Sequence, residues 1–332
     1  MNMNHFASYY RGLKVLVTGG LGFIGSNLAR RLVDLGAEVL VVDSLLPNTG
    51  GNCVNLKDLK NRLRVKIVDL RNAQQIDSLV SGHSVIFNLA GTVSHLDSMT
   101  DPLSDMGANV HAQIVLLEAC RHRAPDARIV FASTRQIYGR PISCPVDESH
   151  PIAPVDVNGI NKDAAESYHS LYHNVYGMPT VSLRLTNTFG PRMRVKDSRQ
   201  TFLGVWIRRA VENEVFEVWG GKQKRDLTYV DDAVEAFLTA GACSKTQGRI
   251  FNVGGSPPLT LTELAESLVA IAGCGRFEIK EFPPDRKRID IGDYFANDEQ
   301  FRQLTGWAPR VTLEEGLART VSYFRDRLSD YV

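Results

Sequence analysis

The stretch Thr18-Gly19-Gly20-Leu21-Gly22-Phe23-Ile24-Gly25 decides the fold of this chain. It follows an apolar run, Leu13–Val17, and precedes a helical pattern, Ser26–Gly36. Residues 20–25 match the G-x-G-x-x-G fingerprint, in which glycines permit a tight turn and let backbone N–H groups approach a pyrophosphate. The N-terminus of the following helix attracts the same anion. The stretch therefore predicts a strand, a turn and a helix that together bind a dinucleotide.

A carboxylate follows the next predicted strand. Glu38–Val42 has the composition of a strand and ends at Asp43, which lies 18 residues past Gly25. A spacing of about 20 is typical of the acidic residue that binds the adenosine ribose. Such a carboxylate accepts hydrogen bonds from the ribose hydroxyls and repels a 2′-phosphate, so the position favours NAD over NADP. The alternative is an aspartate that only caps the turn after the strand.

Composition narrows the class of protein. Of the 332 residues, 43% are hydrophobic and 23% are charged, which is typical of a soluble globular protein. The formal net charge of +1 gives no reason to expect binding to nucleic acid or to a membrane. The N-terminal residues lack a signal-peptide pattern, and no apolar run approaches membrane-spanning length. We therefore expect a cytoplasmic protein.

The cysteines give no sign of a metal site. The five cysteines are scattered along the chain, and none belongs to a C-x-x-C pair. Neither a zinc site nor a disulfide framework is expected from such a distribution. Scattered free cysteines agree with the reducing cytoplasm.

Short apolar strands alternate with amphipathic helices through the first half of the chain. Helix patterns include Ile114–Arg123 and Lys162–Tyr176. This alternation predicts an α/β fold with a Rossmann-like, doubly wound parallel sheet. The strand candidates are Lys14–Thr18, Val39–Asp43, Arg64–Val68, Ser84–Leu89, Arg128–Ser133 and Thr180–Leu185.

The regular alternation of strand and helix patterns ends at about Phe189. We predict an NAD-binding domain over residues 12–186, to which residues 225–255 return, and a smaller C-terminal substrate-binding region formed by 187–224 and 256–330. Within that region Thr260–Glu263 and Thr312–Glu315 have the pattern of capping boxes that begin helices. Pro283–Asp285 has the composition of a loop.

Polar and small residues stand at the ends of three further predicted strands. Asp69 follows the third strand, where it is placed either to accept from the adenine amine or to cap a helix. Asn88–Gly91 ends the fourth strand, and its small residues allow close approach of a cofactor. Ser133–Gly139 ends the fifth, where a hydroxyl is placed either to bind a substrate oxygen or simply to shape a turn.

Taken in order, these motifs resemble the extended short-chain dehydrogenases/reductases, the UDP-glucose 4-epimerase-like family of NAD-dependent nucleotide-sugar epimerases and dehydratases. The likeness runs from about residue 13 to about residue 317, and further matches are Lys162 with Glu166, Arg225-Asp226 and Gly306–Pro309. The resemblance implies transient oxidation of a sugar carbon by tightly held NAD. It places the cofactor against Gly19, Gly22, Phe23, Ile24, Gly25, Asp43, Asp69, Leu70, Leu89, Ala90, Gly91 and Lys162.

The chain departs from the family at its catalytic tyrosine. The family pattern is Tyr-x-x-x-Lys, in which the lysine holds the nicotinamide ribose and the tyrosine is the base. Here Asn158 stands four residues before Lys162, and no tyrosine lies between Tyr138 and Tyr168. An amide does not titrate and is therefore not a base. Tyr168 and Tyr172 follow the lysine and are expected to be core or interface aromatics.

Other positions are candidates for the missing base. We rank His95 first, since it follows the fourth strand near the expected sugar site and an imidazole titrates near neutrality; the alternative is a structural histidine. Tyr138 is usually structural in the family. The remaining candidates are Asp156, which is also placed to cap a helix, and Asp147 with Glu148, which are expected to be exposed.

The reaction type depends on the residues that follow Thr134, which by resemblance holds the reacting hydroxyl. Family dehydratases carry an acidic pair there and decarboxylases a glutamate, whereas this chain has Arg135 and Gln136. Both reactions are therefore disfavoured. Arg135 is placed to bind a substrate carboxylate, as in a uronic acid, or to pair with Asp147 or Glu148.

By resemblance, the nucleotide-diphosphate end of the substrate is bound by the second half of the chain. Asn187 and Arg225 are expected at the diphosphate, with Arg288 as a second clamp; a generic basic surface is the alternative for Arg288. Gln200, Phe202 and the strand Phe216–Val218 are expected to line the base pocket.

The sequence as a whole predicts an NAD-dependent nucleotide-sugar epimerase that acts at C4 and forms a homodimer through the helices around 109–123 and 162–176. Two other functions stay open. One is an NAD-bound nucleotide-sugar binding protein with little turnover, and the other is a dehydratase or decarboxylase with relocated acid and base groups.

Overall fold

A computed structural model describes residues 3–255 and 257–332. The strands are β1 (Lys14–Thr18), β2 (Glu38–Asp43), β3 (Arg64–Ile67), β4 (Val85–Asn88), β5 (Arg128–Thr134), β6 (Thr180–Leu185), β7 (Asn187–Phe189), β8 (Val215–Trp219), β9 (Lys224–Arg225), β10 (Leu227–Tyr229), β11 (Arg249–Val253), β12 (Leu259–Thr260) and β13 (Arg276–Lys280).

The α-helices lie between and after these strands. They are α1 (Met3–Tyr10), α2 (Phe23–Asp34), α3 (Ala73–Val80), α4 (His95–Thr100), α5 (Pro102–Met106), α6 (Ala112–Arg123), α7 (Val157–Tyr176), α8 (Phe202–Val211), α9 (Val230–Ala242), α10 (Leu261–Ala272), α11 (Pro284–Lys287), α12 (Glu299–Thr305) and α13 (Leu313–Arg327). A π-helical turn, Gly107–His111, joins α5 to α6, and 3₁₀ turns span Cys53–Leu59, Arg135–Tyr138, Ser244–Thr246 and Leu328–Asp330.

Seven strands form one parallel sheet in the order β11-β6-β5-β4-β1-β2-β3. The order reverses between β4 and β1, so the connections leave these two neighbours in opposite directions. In an open α/β sheet, ligands bind in the crevice at the carboxyl ends of the strands beside such a point. The predicted Rossmann-like fold is confirmed, and the crevice positions the site described below.

Helices cover both faces of the sheet, which explains the continuous apolar character of its central strands. In β1, Val15 and Val17 face one core layer and Leu16 faces the other. In β4, Phe87 and Ile86 are divided between the same two layers. Each such side chain, once fully buried, contributes about 1.5–3 kcal/mol. A strand buried on both faces has no polar face to show in its sequence.

Helix α1 precedes the predicted domain start at residue 12. Its Phe6 and Tyr10 are buried, and the Tyr10 hydroxyl donates to the carbonyl of Leu238 in α9 at 2.7 Å. Gly241 makes the contact possible, because any Cβ there would meet the Tyr10 hydroxyl. The helix was missed because its partners lie more than two hundred residues away in sequence.

Several predicted boundaries shift. Helix α7 begins at Val157 rather than Lys162, since Asp156 caps it by accepting from the backbone N–H of Gly159. The capping box at Thr260 is present, whereas at Thr312 the described bond runs only from the Glu315 N–H to the threonine hydroxyl. The loop predicted at residues 283–285 is wrong, because Pro284–Lys287 forms one helical turn.

The remaining strands pair outside the main sheet. β7 pairs with β10 and β8 with β13, both in parallel, and β9 pairs with β12 in antiparallel fashion. In the described residues, no helix combines the length and the apolar character needed to cross a membrane.

Candidate active site

A cavity of about 470 Å³ lies at the carboxyl ends of the sheet strands. Arg288, which is exposed, and the strand Phe216–Val218 lie outside its wall, but the wall brings together most of the other residues that the sequence assigned to the site. Those residues are Gly19, Gly22, Phe23, Ile24, Gly25, Asp43, Asp69, Leu70, Leu89, Ala90, Gly91, His95, Thr134, Arg135, Asn158, Lys162, Asn187, Gln200, Phe202 and Arg225.

The glycine turn between β1 and α2 forms one end of this wall. Gly19 has φ of +65°, and a Cβ there would lie 2.8 Å from the carbonyl carbon of Leu89. A Cβ at Gly25 would meet the carbonyl oxygen of Gly19. Gly22 caps α2 without any side-chain hydrogen bond, so the first N–H groups of the helix are left for a ligand. The turn fits a pyrophosphate by shape and by charge.

Asp43 lies at the end of β2 on the same wall. Its Oδ2 accepts from the Leu21 N–H at 3.0 Å and its Oδ1 from the Leu45 N–H at 2.9 Å. Burial raises the pKa of Asp43, and these backbone hydrogen bonds offset part of that rise. The bond to Leu45 is the turn contact of the alternative interpretation. Each carboxylate oxygen has a second lone pair, so Asp43 can also accept from a ribose hydroxyl.

Asp69 lies after β3 and pairs with Arg71, whose Nη2 is 2.6 Å from Oδ2. The hydrogen bond from Arg71 lowers the pKa of Asp69. The interpretation of Asp69 as a helix cap is wrong, because Asn72 caps α3 through the Gln75 N–H. Arg71 lies in the cavity wall beside Asp69.

Lys162 projects from α7 toward β5. Its Nζ donates to the carbonyl of Ala132 at 2.6 Å and lies 4.3 Å from the centre of the Phe131 ring. Burial lowers the pKa of Lys162 to about 8, although the negative charges of Glu166 and Asp105 oppose the shift. These contacts hold Lys162 in the cavity wall, near the carboxyl end of β5.

Asn158 occupies the place of the family's tyrosine, yet its amide is already engaged. Nδ2 donates to the carbonyl of Thr92 at 2.9 Å and to Oδ2 of Asp105 at 3.0 Å. Asp105 also accepts from the Thr92 hydroxyl at 2.7 Å and from Nδ2 of Asn161 at 2.8 Å. Both hydrogens of the Asn158 amide are therefore used to join α7 to α5 and to the loop after β4.

His95 begins α4 and contacts a buried carboxylate. Its Nδ1 lies 3.0 Å from Oδ2 of Asp156. The His95 side chain is 34% exposed and lies in the cavity wall, whereas that of Asp156 is 0% exposed. Nε2 of Gln136 lies 2.6 Å from His95 Nδ1 and 3.2 Å from the same Asp156 oxygen. Gln136 also places the cluster next to Thr134, because its N–H donates to the Thr134 hydroxyl at 3.2 Å.

Tyr138 is buried in a separate polar network, as expected of a structural residue. Its hydroxyl accepts from Nη1 of Arg184 at 2.6 Å and donates to Asn252 at 2.8 Å. Burial raises the pKa of Tyr138 to about 12. Arg184 forms a buried ion pair with Glu166, which also accepts from the Ser133 hydroxyl. Tyr138 is not part of the cavity wall.

The other carboxylates considered as bases lie outside the wall. Asp147 is exposed, and it accepts from the hydroxyl of Ser149. Glu148 is half-buried and accepts from the Asn252 N–H at 2.7 Å. Of the two late tyrosines, Tyr172 is buried and donates to Glu118 of α6. Of the candidate bases, His95 lies in the cavity wall, and the buried Asp156 contacts it through Nδ1.

Arg135 does not pair with Asp147 or Glu148, so that interpretation is wrong. Its Nε and Nη2 instead donate to Oδ1 of Asn187, at 3.1 and 2.8 Å. Its guanidinium lies over the ring of Tyr294, 5.0 Å from the centroid. Among the described residues, Nη1 of Arg135, Oδ1 of Asp226 and the hydroxyl of Tyr294 are buried without a partner. Such a group of donors and acceptors suits an internal water.

Arg225 lies in the cavity wall and is buried. Its Nη1 donates to the carbonyls of Lys224 and Gly292, and its Nη2 lies 3.3 Å from Asp290. Burial lowers the pKa of Arg225 to about 10, the charge of Arg135 adds to this effect, and Asp290 opposes it. Arg225 is thus a buried cation whose charge is partly balanced by the carboxylate of Asp290.

Aromatic residues in the wall near Arg225 were not all found from the sequence. The strand expected at Phe216–Val218 is present in β8, but Phe216 is buried against Trp206 in the core. Trp219, the last residue of β8, and Phe282 lie in the wall instead. Their rings are 6.0 Å apart in an edge-to-face arrangement. An aromatic residue directly after the predicted strand was the available signal.

Residues Pro191–Gln200, here called the arginine segment, cross the cleft near the glycine turn. Arg192 donates to Oδ1 of Asn27 in α2, and Arg194 donates to the carbonyl of Thr49 at 2.6 Å. Arg199 reaches Asp97 of α4 at 2.7 Å. The segment is therefore bound to both sides of the cleft.

The profile of the NAD dependent epimerase/dehydratase family matches residues 15–254. The chain belongs to this family. The match confirms the resemblance inferred from the motifs and the prediction of NAD as the cofactor. In the part of the chain that the structure describes, no group of three or more His, Cys, Asp and Glu side chains is placed to hold a metal ion.

Relatives within the family differ in reaction. UDP-glucose 4-epimerase of Mycolicibacterium smegmatis is 31% identical over 323 residues, which cover 95% of this chain and 99% of that protein. dTDP-glucose 4,6-dehydratase of Streptomyces niveus is 30% identical over 328 residues, covering 95% and 93%. The Thermus thermophilus UDP-glucose 4-epimerase, solved in complex with NAD, superposes with a TM-score of 0.84 at 30% identity, covering 94% and 99%. Membership of the NAD dependent epimerase/dehydratase family therefore defines a substrate class more closely than a reaction.

Proposed function

We propose that this protein is an NAD-dependent epimerase that inverts C4 of a nucleotide-diphosphate sugar. The observation that carries the proposal is the continuity of one cavity. The glycine turn, Thr134, Lys162 and Arg225 all line it. A dinucleotide and a nucleotide-diphosphate sugar can meet in such a cavity with the sugar between them.

Each part of the wall has a role in this proposal. The glycine turn binds the pyrophosphate of NAD, Asp43 accepts from the adenosine ribose, and Lys162 donates to the nicotinamide ribose. When bound, NAD supplies a hydride acceptor that later returns the hydride to the sugar. Thr134 orients the reacting hydroxyl, Arg225 neutralises charge on the diphosphate, and Asn187 donates a hydrogen bond to it.

The residues that follow Thr134 support epimerisation over elimination. Arginine stays protonated and glutamine does not titrate, so neither Arg135 nor Gln136 can move a proton at neutral pH. Both are also held by neighbours, Arg135 by Asn187 and Gln136 by Asp156. Epimerisation through a keto sugar needs no acid at these two positions.

A second candidate is an NAD-bound protein that binds nucleotide sugars with little turnover. Asn158 favours it, because the position of the family's base holds an amide whose hydrogens are both donated to Thr92 and Asp105. In this case the cavity would bind both ligands and leave the sugar unchanged.

We further propose a cytoplasmic homodimer assembled through α6 and α7. On α7, Leu171, Val175 and Tyr176 are 48%, 60% and 48% exposed. Replacing Leu171 and Val175 together with glutamate should shift the molecular mass measured by light scattering from dimer to monomer. The control places two glutamates at exposed positions outside both helices, Ala270 of α10 and Ile279 of β13, and should leave the mass unchanged.

One experiment separates the two functions. The purified protein is incubated in heavy water with a panel of nucleotide sugars, and the products are followed by NMR. An epimer without deuterium uptake supports C4 inversion. Deuterium next to a ketone indicates elimination or enolisation and contradicts the proposal. Bound NAD without any product supports the binding protein.

A further inference from the structure

The structure assigns His95 and Asp156 to a dyad in which Asp156 fixes the imidazole so that Nε2 accepts the proton of the sugar hydroxyl. This inference rests on the proposed epimerase function. It gives the chain a base in place of the tyrosine that Asn158 replaces. It also gives Asp156 a positioning role beyond that of a helix cap.

Asp156 has one oxygen for each of two tasks. Oδ1 accepts from the Gly159 N–H at 2.7 Å and thereby caps α7, while Oδ2 lies 3.0 Å from Nδ1 of His95. The cap prevents the carboxylate from rotating, so Oδ2 stays directed at the imidazole. Burial acts to raise the pKa of Asp156, but the hydrogen bonds from His95, Gly159 and Gln136, together with the charge of the imidazole when it is protonated, lower it overall. Asp156 is thus an acceptor only.

The position of the proton on His95 follows from this contact. A carboxylate cannot donate, so a stabilising contact at 3.0 Å requires the hydrogen on Nδ1. Nε2 of Gln136 lies 2.6 Å from Nδ1 and 3.2 Å from Oδ2 of Asp156. Two donors cannot face each other at 2.6 Å, so a hydrogen on Nδ1 requires the Gln136 amide to turn its oxygen to the imidazole. A hydrogen bond to a charged group is about twice as strong as one between neutral groups. The bond to Asp156 therefore sets the tautomer, and Nε2 keeps its lone pair.

The free nitrogen is available to the substrate. No hydrogen bond to His95 Nε2 is present within residues 3–255 and 257–332. The ring lies in the cavity wall with Thr134, and Gln136 contacts both residues. As the sugar C–OH becomes C=O, its hydroxyl proton passes to Nε2 while its carbon-bound hydrogen leaves as hydride to the bound NAD. Return of both restores the alcohol, so atoms and electrons balance.

Asp156→Asn is the decisive variant because asparagine keeps the cap. The amide oxygen must stay on the Gly159 N–H, so the amide nitrogen takes the place of Oδ2 and donates to Nδ1 of His95. The hydrogen of the imidazole then moves to Nε2, which can no longer accept a proton. We expect kcat to fall by about 10²-fold or more, with a smaller change in KM. His95→Gln should lose a similar factor.

A matched control changes another helix cap in the same way. Asp101 caps α5 by accepting from the Ser104 N–H and is exposed. Asp101→Asn should leave kcat unchanged, which separates the loss of a carboxylate at a cap from the loss of the dyad. If Asp156→Asn or His95→Gln turns over at the wild-type rate, the dyad is overturned.

The tautomer can be measured without turnover. Nitrogen-15 chemical shifts of the imidazole, assigned by comparison with His95→Gln, should place the hydrogen on Nδ1 in the wild type and on Nε2 in Asp156→Asn. A wild-type His95 with its hydrogen on Nε2 would overturn the inference. Failure of the wild type to convert any sugar would instead defeat the epimerase proposal, and the shifts would still decide the state of the dyad.

Discussion

The amide nitrogen of Asn158 lies 3.0 Å from the buried carboxylate of Asp105 and 2.9 Å from the carbonyl of Thr92. The residue at the family's catalytic position is therefore a structural connection between α7 and α5. Asn158→Ala would leave Asp105 with one donor fewer in a buried site. We expect the free energy of unfolding to fall by about 1–3 kcal/mol, measured by urea denaturation. Asn174→Ala, at an exposed position of α7, should change it by less than about 0.5 kcal/mol.

Asn158→Tyr tests whether the contacts of Asn158 with Asp105 and Thr92 replace a catalytic role at this position. A tyrosine restores the family pattern at this position but removes the amide that Asp105 and Thr92 share. If another group is the base, turnover should not rise above that of the wild type. A large gain in kcat would show that the wild type lacks a base, which contradicts the assignment of His95.

Asp43 should control both affinity and selectivity for the cofactor. Asp43→Ala removes a charged acceptor for the ribose hydroxyls and the charge that repels a 2′-phosphate. We expect Kd for NAD to rise by about ten- to a hundred-fold and the preference for NAD over NADP to shrink, as measured by calorimetry on cofactor-free protein. Asp77→Ala, which removes a surface ion pair with Arg123, is the control. An unchanged NAD to NADP ratio would contradict the role of Asp43.

The buried ion pair between Glu166 and Arg184 should dominate local stability. Their side chains are 3% and 4% exposed, and Nη2 lies 2.6 Å from Oε1. Glu166→Gln leaves the arginine charge uncompensated in the interior, which costs about 3–5 kcal/mol. Glu212→Gln removes an equivalent pair with Arg208 near the surface and should cost under about 1 kcal/mol. Equal losses of unfolding free energy in the two variants would contradict the larger contribution assigned to the buried pair.

Asp226 should make stability depend on pH. Burial raises its pKa to about 6, whereas an exposed aspartate titrates near 3.9. Because the folded state binds this proton more readily, its contribution to stability is fully present below about pH 4 and is lost as pH rises through about 6. Asp226→Asn should therefore gain about 1–3 kcal/mol relative to the wild type between pH 5 and pH 8. Thermal unfolding of both proteins across this pH range measures the gain, and Asp326→Asn at an exposed position is the reference. A stability difference between Asp226→Asn and the wild type that does not change with pH would contradict the raised pKa of Asp226.

The sequence revealed the sheet because its signals are local. A glycine turn, apolar runs and regular alternation lie within a few residues of one another, so β1 to β6 were located to within a residue or two. Helix α1 escaped detection for the opposite reason. Its apolar face becomes meaningful only beside Leu238 and Gly241, which no local pattern connects to it.

The same distinction applies to the site. Many wall residues follow strand ends, and parallel strands bring their carboxyl ends together, so the strand ends and the resemblance to the family together indicated almost the whole cavity. The hydrogen-bond partners of the site residues could not be predicted from the sequence. Asp156 lies 61 residues from His95, and Asp105 lies 53 residues from Asn158. Arg288 and the strand Phe216–Val218 were placed by resemblance, and neither belongs to the wall.

The arginine segment has a consequence for the retention of the cofactor. In the epimerase reaction proposed above, the hydride returns to the sugar, so NAD need not be exchanged between turnovers. Arg199 and Asp97 form an ion pair at the surface of the cleft, and such contacts weaken as ions screen them. We expect NAD to leave more quickly as salt is added, because the arginine segment is then held less firmly to α4.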